Sequence, residues 1–226
     1  MDSVLTPTAS HPATAEEEAY RFLLTAIRLG EFKAGDRLVP EEIATRLGMS
    51  RMPVRDAFRR LATQELLTIR PNRGAIVRGL SQEQAVEVFE MRAVLEGLAA
   101  RVAMAKVGPD EIAELERRLD AMDRYAGDIS EWVSAHRDFH LFLCGLSGRP
   151  RLVAQIAALH VSIEPHMRLW LQAAEKPQAS REDHGLIIDA LRRKRPELLE
   201  AVVRDHVCET IPVLANLMEA GASSSG

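Results

Sequence analysis

Residues 50–61 of this chain read Ser50-Arg51-Met52-Pro53-Val54-Arg55-Asp56-Ala57-Phe58-Arg59-Arg60-Leu61. The spacing predicts an amphipathic helix, because the apolar residues recur on one face: Val54, Ala57, Phe58 and Leu61. Ser50 suits the N-cap, and Pro53 fits the first turn, where a missing N–H costs little. The opposite face is rich in arginine. Such a face is more often only a solvated surface, but it also suits the DNA major groove, where phosphates give affinity and base edges give specificity.

The segment before this helix favours the DNA interpretation. Pro40 to Leu47 predicts a shorter helix whose inward residues are Ile43, Ala44 and Leu47. Gly48 ends that helix in a tight turn, so the order is helix, glycine-containing turn, helix. This order is the layout of a helix-turn-helix, in which the second helix reads the DNA.

A predicted β-hairpin follows the second helix. Leu67-Thr68-Ile69-Arg70 and Ala75-Ile76-Val77-Arg78 alternate like strands, and residues 71–74 form the turn between them. A hairpin in this place is a wing, with Arg73 and Gly74 at its tip. Glycine lets the backbone approach DNA closely, and arginine suits a narrow minor groove.

The helix and hairpin together resemble the winged helix-turn-helix of GntR-family transcription regulators, over about residues 16–79. The residues that we expect to face DNA are Ser50, Arg51, Met52, Arg55, Arg59, Arg73 and Gly74. The chain departs from the family pattern at two acidic residues. Glu41 stands where the family often has an arginine that touches DNA, which puts one contact in doubt. Glu65 stands where the family usually has glycine before the wing.

Composition and charge agree with a regulator. The 226 residues allow two modest domains, and their net charge is −4. Residues 46–78 nevertheless carry eight arginines against Asp56 and Glu65, so one basic patch lies on an otherwise acidic protein. No run of about 18 apolar residues predicts a membrane span. Two cysteines and no signal-peptide pattern favour a cytoplasmic protein without disulfides.

The rest of the chain predicts an all-helical second domain. We expect a disordered tail at 1–15, a DNA-binding domain at 16–79, a helical domain at 80–219 and a tail at 220–226. The predicted helices number about six and form an antiparallel bundle, so the protein is mostly α. Ser81 to Gln84 is a capping-box pattern that opens the first, and Ser130 is expected to cap the third. The last helix is expected to run from Pro196 to Glu219.

Histidines are the chemical signal of the second domain. His136 and His140 lie four apart on one predicted helix, so both project from one face. A pair with this spacing is a common way to chelate a transition metal, and His184 and His206 on other helices could complete the site. The alternative is that the pair is only surface or core, because spacing along the chain cannot show convergence.

Three segments resemble the FCD effector domain of GntR regulators: His136 to His140, Glu182 to His184, and Arg204 to His206. The resemblance implies a divalent metal held by His140, His184 and His206. The family's fourth ligand is an aspartate four residues before the first histidine, and His136 occupies that position here. Four nitrogen ligands favour Zn²⁺ or Ni²⁺ over Mg²⁺ or Mn²⁺, and they leave the metal more attractive to an anion.

Arg92 and Glu96 are a second candidate pair, four apart on the first helix of the bundle. They could form an internal salt bridge. Arg92 could instead reach the cavity and bind an effector carboxylate, with Glu96 beside it. FCD proteins have a similar Arg-x-x-x-Glu, which supports a role without deciding between the two.

These patterns predict a ligand-responsive transcription regulator, most simply a repressor, that binds palindromic double-stranded operator DNA as a homodimer. The expected effector is a small organic acid, bound through the metal and Arg92. A metal sensor is the first alternative, since the metal itself could be the signal. A metal-dependent enzyme is the second, but no general base or nucleophile accompanies the histidines, so we expect no catalysis.

Overall fold

The structure is a computed structural model that describes residues 14–71, 73–125, 127–173 and 180–212. Most of the predicted N-terminal tail, the end of the last helix and the C-terminal tail lie outside these residues. The described residues are mostly helical, as predicted. Contacts divide the chain into two compact units that meet at Arg78 and Gly79, with Arg28–Gly30 grouped with the second unit.

The first unit contains three helices: α1 (Ala15–Arg28), α2 (Pro40–Leu47) and α3 (Arg51–Thr63). The predicted apolar stripe of α3 is buried, because each of its four residues is at most 3% exposed. Gly48 ends α2 with a left-handed backbone (φ 66°), which glycine adopts without steric cost. Ser50 takes the N-cap position of α3 with an extended backbone, but its side chain accepts no capping hydrogen bond.

The wing is a small antiparallel sheet. Strands β2 (Leu67–Arg70) and β3 (Gly74–Val77) pair as the sequence predicts, and Arg70 lies opposite Gly74. A third strand, β1 (Arg37–Leu38), was not predicted and pairs with the other side of β3, so the strand order is β1-β3-β2. Two residues give too little alternation to be recognised as a strand from the sequence.

The second unit is a bundle of six α-helices within the described residues. Their bounds are α4 (Gln82–Ala103), α5 (Pro109–Arg124), α6 (Ile129–Gly145), α7 (Pro150–Ala173), α8 (Ser180–Arg192) and α9 (Pro196–Cys208). A short 3-10 turn, Met104–Lys106, follows α4. Helix α4 packs against α6, α7 and α9, and α5 packs against α6 and α8. The core between them is mainly aliphatic, with Phe89, Phe139 and Trp132 also buried.

Two local features of the bundle test the capping predictions. The capping box of α4 is present, because Ser81 and Gln84 exchange both hydrogen bonds. The predicted cap of α6 is wrong: Asp128 takes that position, and its carboxylate accepts from the backbone N–H groups of Ser130 and Glu131. Aspartate and serine are both good caps, so the choice between neighbouring candidates depends on where the chain turns.

The sequence predicted neither a disulfide nor a membrane-spanning helix. Cys144 and Cys208 are both free thiols. No helix among the described residues has the length and apolar character to cross a membrane.

Candidate DNA interface and histidine centre

The predicted DNA-facing residues of α3 lie on its exposed side. Met52 is 60% exposed, and the side chain of Arg51 is 66% exposed. Arg55 and Arg59 are also exposed. The start of α3 therefore presents Met52 together with exposed arginines at the surface.

A groove between α3 and the wing is rich in arginine. Its lining includes five arginines: Arg37, Arg55, Arg59, Arg70 and Arg73. Gly74 also lines it and has a positive φ of 84°, and a Cβ there would lie 2.1 Å from the carbonyl oxygen of Leu38. The wing therefore needs glycine at this position for the close approach of β1.

Arg37 is a residue of this groove that the sequence analysis missed. It lies on β1, and its Nε donates to the backbone carbonyl of Arg73 at 2.9 Å. This bond ties the wing tip to β1. A signal existed, because Arg37 is a basic residue close before the helix-turn-helix, but without the unpredicted strand nothing placed it beside the wing.

Acidic residues on the same surface pair with two of the arginines. Arg51 Nη1 donates to Glu41 Oε1 at 2.9 Å, and this bond lowers the pKa of Glu41. Arg59 pairs with Asp56 at 2.5 Å. Glu41, which replaces the arginine expected from the family pattern, is thus the partner of a predicted DNA-binding arginine.

Arg60 has a different role from its neighbours. Its guanidinium lies 3.6 Å from the ring centroid of Tyr20 and donates to Glu17 at 2.6 Å. Arg60 therefore joins α3 to α1 inside the first unit, and we do not count it among the DNA contacts.

Four histidines converge in the second unit. His136 and His140 come from α6, His184 from α8 and His206 from α9. One ring nitrogen of each lies within 4.8 Å of one ring nitrogen of every other. His140 Nε2 and His184 Nε2 are 3.3 Å apart. We call these four residues the histidine centre.

The donor set and the spacing fit a divalent transition metal. Ligands about 2.0–2.1 Å from a tetrahedral Zn²⁺ are separated from one another by about 3.4 Å. The His140–His184 pair already has this separation, while other pairs must move closer. His140 and His184 are each only 1% exposed, so water does not compete freely for their nitrogens. The four histidines can therefore hold a metal ion.

Burial keeps two members of the histidine centre, His136 and His206, in the neutral form that binds metal. Loss of hydration holds the pKa of His136 well below its usual range and lowers the pKa of His206 to about 3. The neighbouring imidazoles act in the same direction, because a second positive charge would repel the first. Neutral imidazole is the ligand form, so neither His136 nor His206 has to lose a proton before a metal binds at neutral pH.

Glu96 lies directly behind the histidine centre. It is fully buried, and its Oε2 is 2.8 Å from His140 Nδ1. A carboxylate on Nδ1 favours the tautomer whose bare Nε2 points into the centre. Arg92 Nε donates to Glu96 Oε1 at 2.8 Å and offsets its charge, and Arg92 and the nearby histidines hold the pKa of Glu96 well below its usual range. Of the two interpretations of Arg92 and Glu96, this geometry is that of the internal ion pair.

His160 belongs to the same network. Its Nε2 lies 3.1 Å from Glu96 Oε1, and burial lowers its pKa to about 4. The sequence alone did not predict that Glu96 lies beside His140 and His160. Helical spacing places Arg92 beside Glu96, but only the packing of α4 against α6 and α7 brings His140 and His160 to the same carboxylate.

The N-terminal region and the bundle each match a known family model. The first match covers residues 15–77 and is described as bacterial regulatory proteins, gntR family. The second covers residues 87–208 and is the FCD domain. The two matches follow the order that the sequence patterns indicate.

Whole-chain comparisons agree with these matches. The chain is 32% identical, over 90% of both sequences, to a protein of Paenarthrobacter nicotinovorans named "Probable D-xylose utilization operon transcriptional repressor". It is 31% identical to the "Nta operon transcriptional regulator" of Aminobacter aminovorans, over 78% of this chain and 83% of the relative. The solved structure of "E. coli McbR/YncC" covers 91% of this chain and 99% of its own, with a TM-score of 0.79 and 27% identity. This chain therefore belongs to the GntR family of bacterial regulatory proteins and carries an FCD domain, which makes it a DNA-binding transcriptional regulator.

Proposed function

We propose that this protein is a repressor whose bundle binds a small carboxylic acid through a divalent metal held by the histidine centre. The observation that carries the proposal is the convergence of four histidines from three helices around one point. Two relatives described as regulators of operons support a role in controlling an operon, and one of them is named a repressor.

The proposed metal is Zn²⁺ or Ni²⁺. Imidazole is a ligand of intermediate softness that suits these ions, whereas Mg²⁺ and Mn²⁺ prefer oxygen. Asp138, the nearest carboxylate on α6, is bonded to Arg137 at 2.9 Å and half exposed, so it is not available as an oxygen ligand. When bound, the ion would act as a Lewis acid that attracts an effector carboxylate.

DNA recognition is proposed to use α3 and the wing of each protomer of a dimer. Arg51, Arg55 and Arg59 would enter the major groove with Ser50 and Met52, and Arg73 with Gly74 would follow the backbone or minor groove. One recognition helix reads too few bases for useful specificity, so a palindromic operator and two protomers are expected. If the effector releases DNA, then DNA must weaken effector binding by the same factor.

The metal proposal is tested by metal content, with His140→Ala beside wild type. We expect about one Zn or Ni per chain in wild type and a loss of that metal in the variant. His166→Ala is the matched control, because His166 is also a partly buried histidine of the bundle but donates no nitrogen to the centre. Wild-type protein that holds no metal after reconstitution would remove the metal from the proposal.

The DNA proposal is tested separately by selecting binding sites from a random duplex library. Wild type is expected to enrich a palindrome, and Arg51→Ala should weaken binding and relax the preference at one position of each half-site. Arg21→Ala is the control, because Arg21 is exposed on α1 outside the groove. Weaker binding with an unchanged preference would make Arg51 a phosphate contact.

A metal sensor is the second candidate, and one observation favours it. Four protein nitrogens complete a tetrahedral shell, which is typical of a closed site rather than one that leaves a position for ligand. A sensor would show DNA affinity that changes with free Zn²⁺ in the absence of any organic acid. An effector-responsive repressor would show that change only when the acid is added.

A further inference from the structure

Arg168 of α7 is a buried cation, and some of its N–H groups have no hydrogen-bond acceptor among the described residues. It is 5% exposed, and its Nη2 donates to Glu164 Oε1 at 3.1 Å and to Ser134 Oγ at 3.4 Å. Its Nε and Nη1 are buried and have no hydrogen-bond partner among the described residues. Buried N–H groups of a charged side chain are costly without an acceptor, so this position is suited to an anion from outside the chain.

A second arginine shares the same carboxylate. Arg137 Nη1 donates to Glu164 Oε2 at 2.8 Å, so each oxygen of Glu164 already accepts from a guanidinium. Arg137 also bonds to Asp138, but that carboxylate is half exposed and well hydrated. Arg28, which is grouped with the second unit, also donates from Nη2 to Glu164 Oε1 at 2.6 Å. Three cations therefore face one buried anion, and the interior here has an excess of positive charge.

This excess of positive charge lies next to the histidine centre. Glu164 and Arg137 line one small cavity together with His136 and His160. The cavity volume is about 10 Å³, close to what one water molecule occupies, so a larger ligand would have to widen it. A ligand held at the histidine centre could reach Arg137 through this cavity, and Arg168 is bonded to Glu164 of the same lining.

The charges around the histidine centre and this cavity indicate which class of acid would bind most tightly. Arg92 is matched by Glu96, while the histidine centre contributes no negative ligand, so a divalent ion there keeps its full charge. One carboxylate would leave both that ion and the Arg137–Arg168 pair only partly compensated. In a poorly hydrated interior each uncompensated charge is costly, so a second carboxylate on the ligand stabilises the complex.

We infer that the effector is a dicarboxylic acid, with one carboxylate at the histidine centre and the other bound by Arg168 with Arg137. This inference rests on the proposed metal-dependent effector site and specifies its ligand class. Arg168 would supply the donors that now lack partners, and Arg137 would supply further positive charge. A monocarboxylic acid would use only the first of the two positions.

The test compares acids that have equal carbon numbers but one or two carboxylates. Titration calorimetry on Zn²⁺-loaded full-length protein would use succinate against butyrate, and glutarate against valerate. We expect wild type to bind at least one dicarboxylate about tenfold or more tightly than its partner acid. Arg168→Met should remove that preference and leave butyrate and valerate affinity within about twofold.

Two further variants keep the result interpretable. Arg151→Met is the matched control, since Arg151 lies on the same helix but is exposed, and it should behave as wild type. Arg168→Lys keeps the charge if the methionine variant does not fold, and it should retain part of the preference. Equal affinity for both classes of acid, or no binding of either, would overturn the inference.

Metal content separates this inference from the function on which it rests. A metal-loaded protein without dicarboxylate preference contradicts only the inference. A protein that binds dicarboxylates through Arg168 but holds no metal contradicts the metal proposal and leaves the arginine subsite standing.

Discussion

At the scale of single residues, Glu65 shows why glycine is common before the wing. Glu65 has a positive φ of 61°, in the left-handed region where a side chain meets the backbone. Glu65 pairs with Arg78 at 3.4 Å, but this pair is largely solvent-exposed and contributes little stability. The resemblance identified the unusual residue, and the backbone supplies the physical reason.

Glu65→Gly is therefore expected to stabilise the first unit by about 1 kcal/mol. Hydrogen exchange of the β2 and β3 amides measures the effect, because it reports on this unit alone. Gln64→Gly is the contrasting control: Gln64 has a negative φ of −93° and accepts from Tyr20, so glycine there should destabilise. Unchanged or faster exchange in Glu65→Gly would show that the strain is compensated elsewhere.

Glu41 affects DNA binding through Arg51. Its carboxylate holds the Arg51 guanidinium and would repel phosphates, so we expect Glu41→Gln to raise affinity for all sequences by about tenfold at low salt. The measurement is a titration of wild type and variant with the selected palindrome and with unrelated duplex.

Glu42→Gln is the matched control for that experiment. It makes the same charge change one residue away, also at an exposed position, but Glu42 has no ion pair within the described part of the chain. If both variants gain equally, general charge rather than the bond to Arg51 explains the effect. If neither gains, Glu41 does not oppose DNA.

At the scale of elements, the contact between α4 and α9 depends on Gly97. A Cβ at Gly97 would lie 2.6 Å from Arg204 Cγ and 3.2 Å from the Glu200 carbonyl oxygen. The two helices therefore approach closely because this residue has no side chain. A glycine inside a helix lowers helix propensity, so its presence in α4 predicts that a packing contact requires it there. The sequence does not show which residue makes that contact.

Gly97→Ala is expected to destabilise the second unit by about 1–3 kcal/mol, because α4 and α9 must separate. Gly185→Ala in α8 is the control: no atom lies within 4 Å of its added Cβ, so helix propensity should stabilise by about 0.5–1 kcal/mol. Urea unfolding followed by tryptophan fluorescence reports on this unit, which holds both tryptophans, Trp132 and Trp170. Equal effects of the two alanines would contradict the close approach.

At the scale of the whole molecule, acid should destabilise the metal-free protein. His136, His160 and His206 have lowered pKa values in the folded state, with His160 at about 4 and His206 at about 3. The unfolded chain binds these protons near the ordinary histidine pKa of 6.5, so the stability that the neutral histidines contribute is present above that pH. It is lost as the pH falls from 6.5 toward the folded values.

Each of these histidines should cost about 1.4 kcal/mol between about pH 7.5 and pH 5.5. Urea unfolding in the presence of a chelator measures the slope, in a range above the ordinary pKa of carboxylates. His166 also has a pKa lowered by burial, so His160→Gln removes one of four such histidines and is expected to reduce the loss by about a quarter to a third. A stability that does not change over this range would mean that the histidines remain hydrated.

Much of the fold could be predicted because its determinants are local. The period of apolar residues indicated the helices of both units, and glycine, proline and capping residues indicated most of their ends. The wing strands β2 and β3 alternate clearly enough to recognise, whereas β1 is only two residues long and exists because β3 offers it a partner. The N-cap of α6 is Asp128 and not the predicted Ser130, because neighbouring polar residues can both serve as caps.

The same distinction between local patterns and tertiary contacts applies to the candidate sites. Residue types and their spacing indicated which side chains carry the chemistry: an arginine-faced helix, a wing, four histidines and the spaced pair Arg92 and Glu96. Which of these residues meet depends on the tertiary structure. It brought α6, α8 and α9 together at the histidine centre, placed Glu96 behind His140, and gave Arg137 and Arg168 one carboxylate to share. Spacing along a helix fixes a face within a few residues, but contacts between distant helices depend on how the whole core packs.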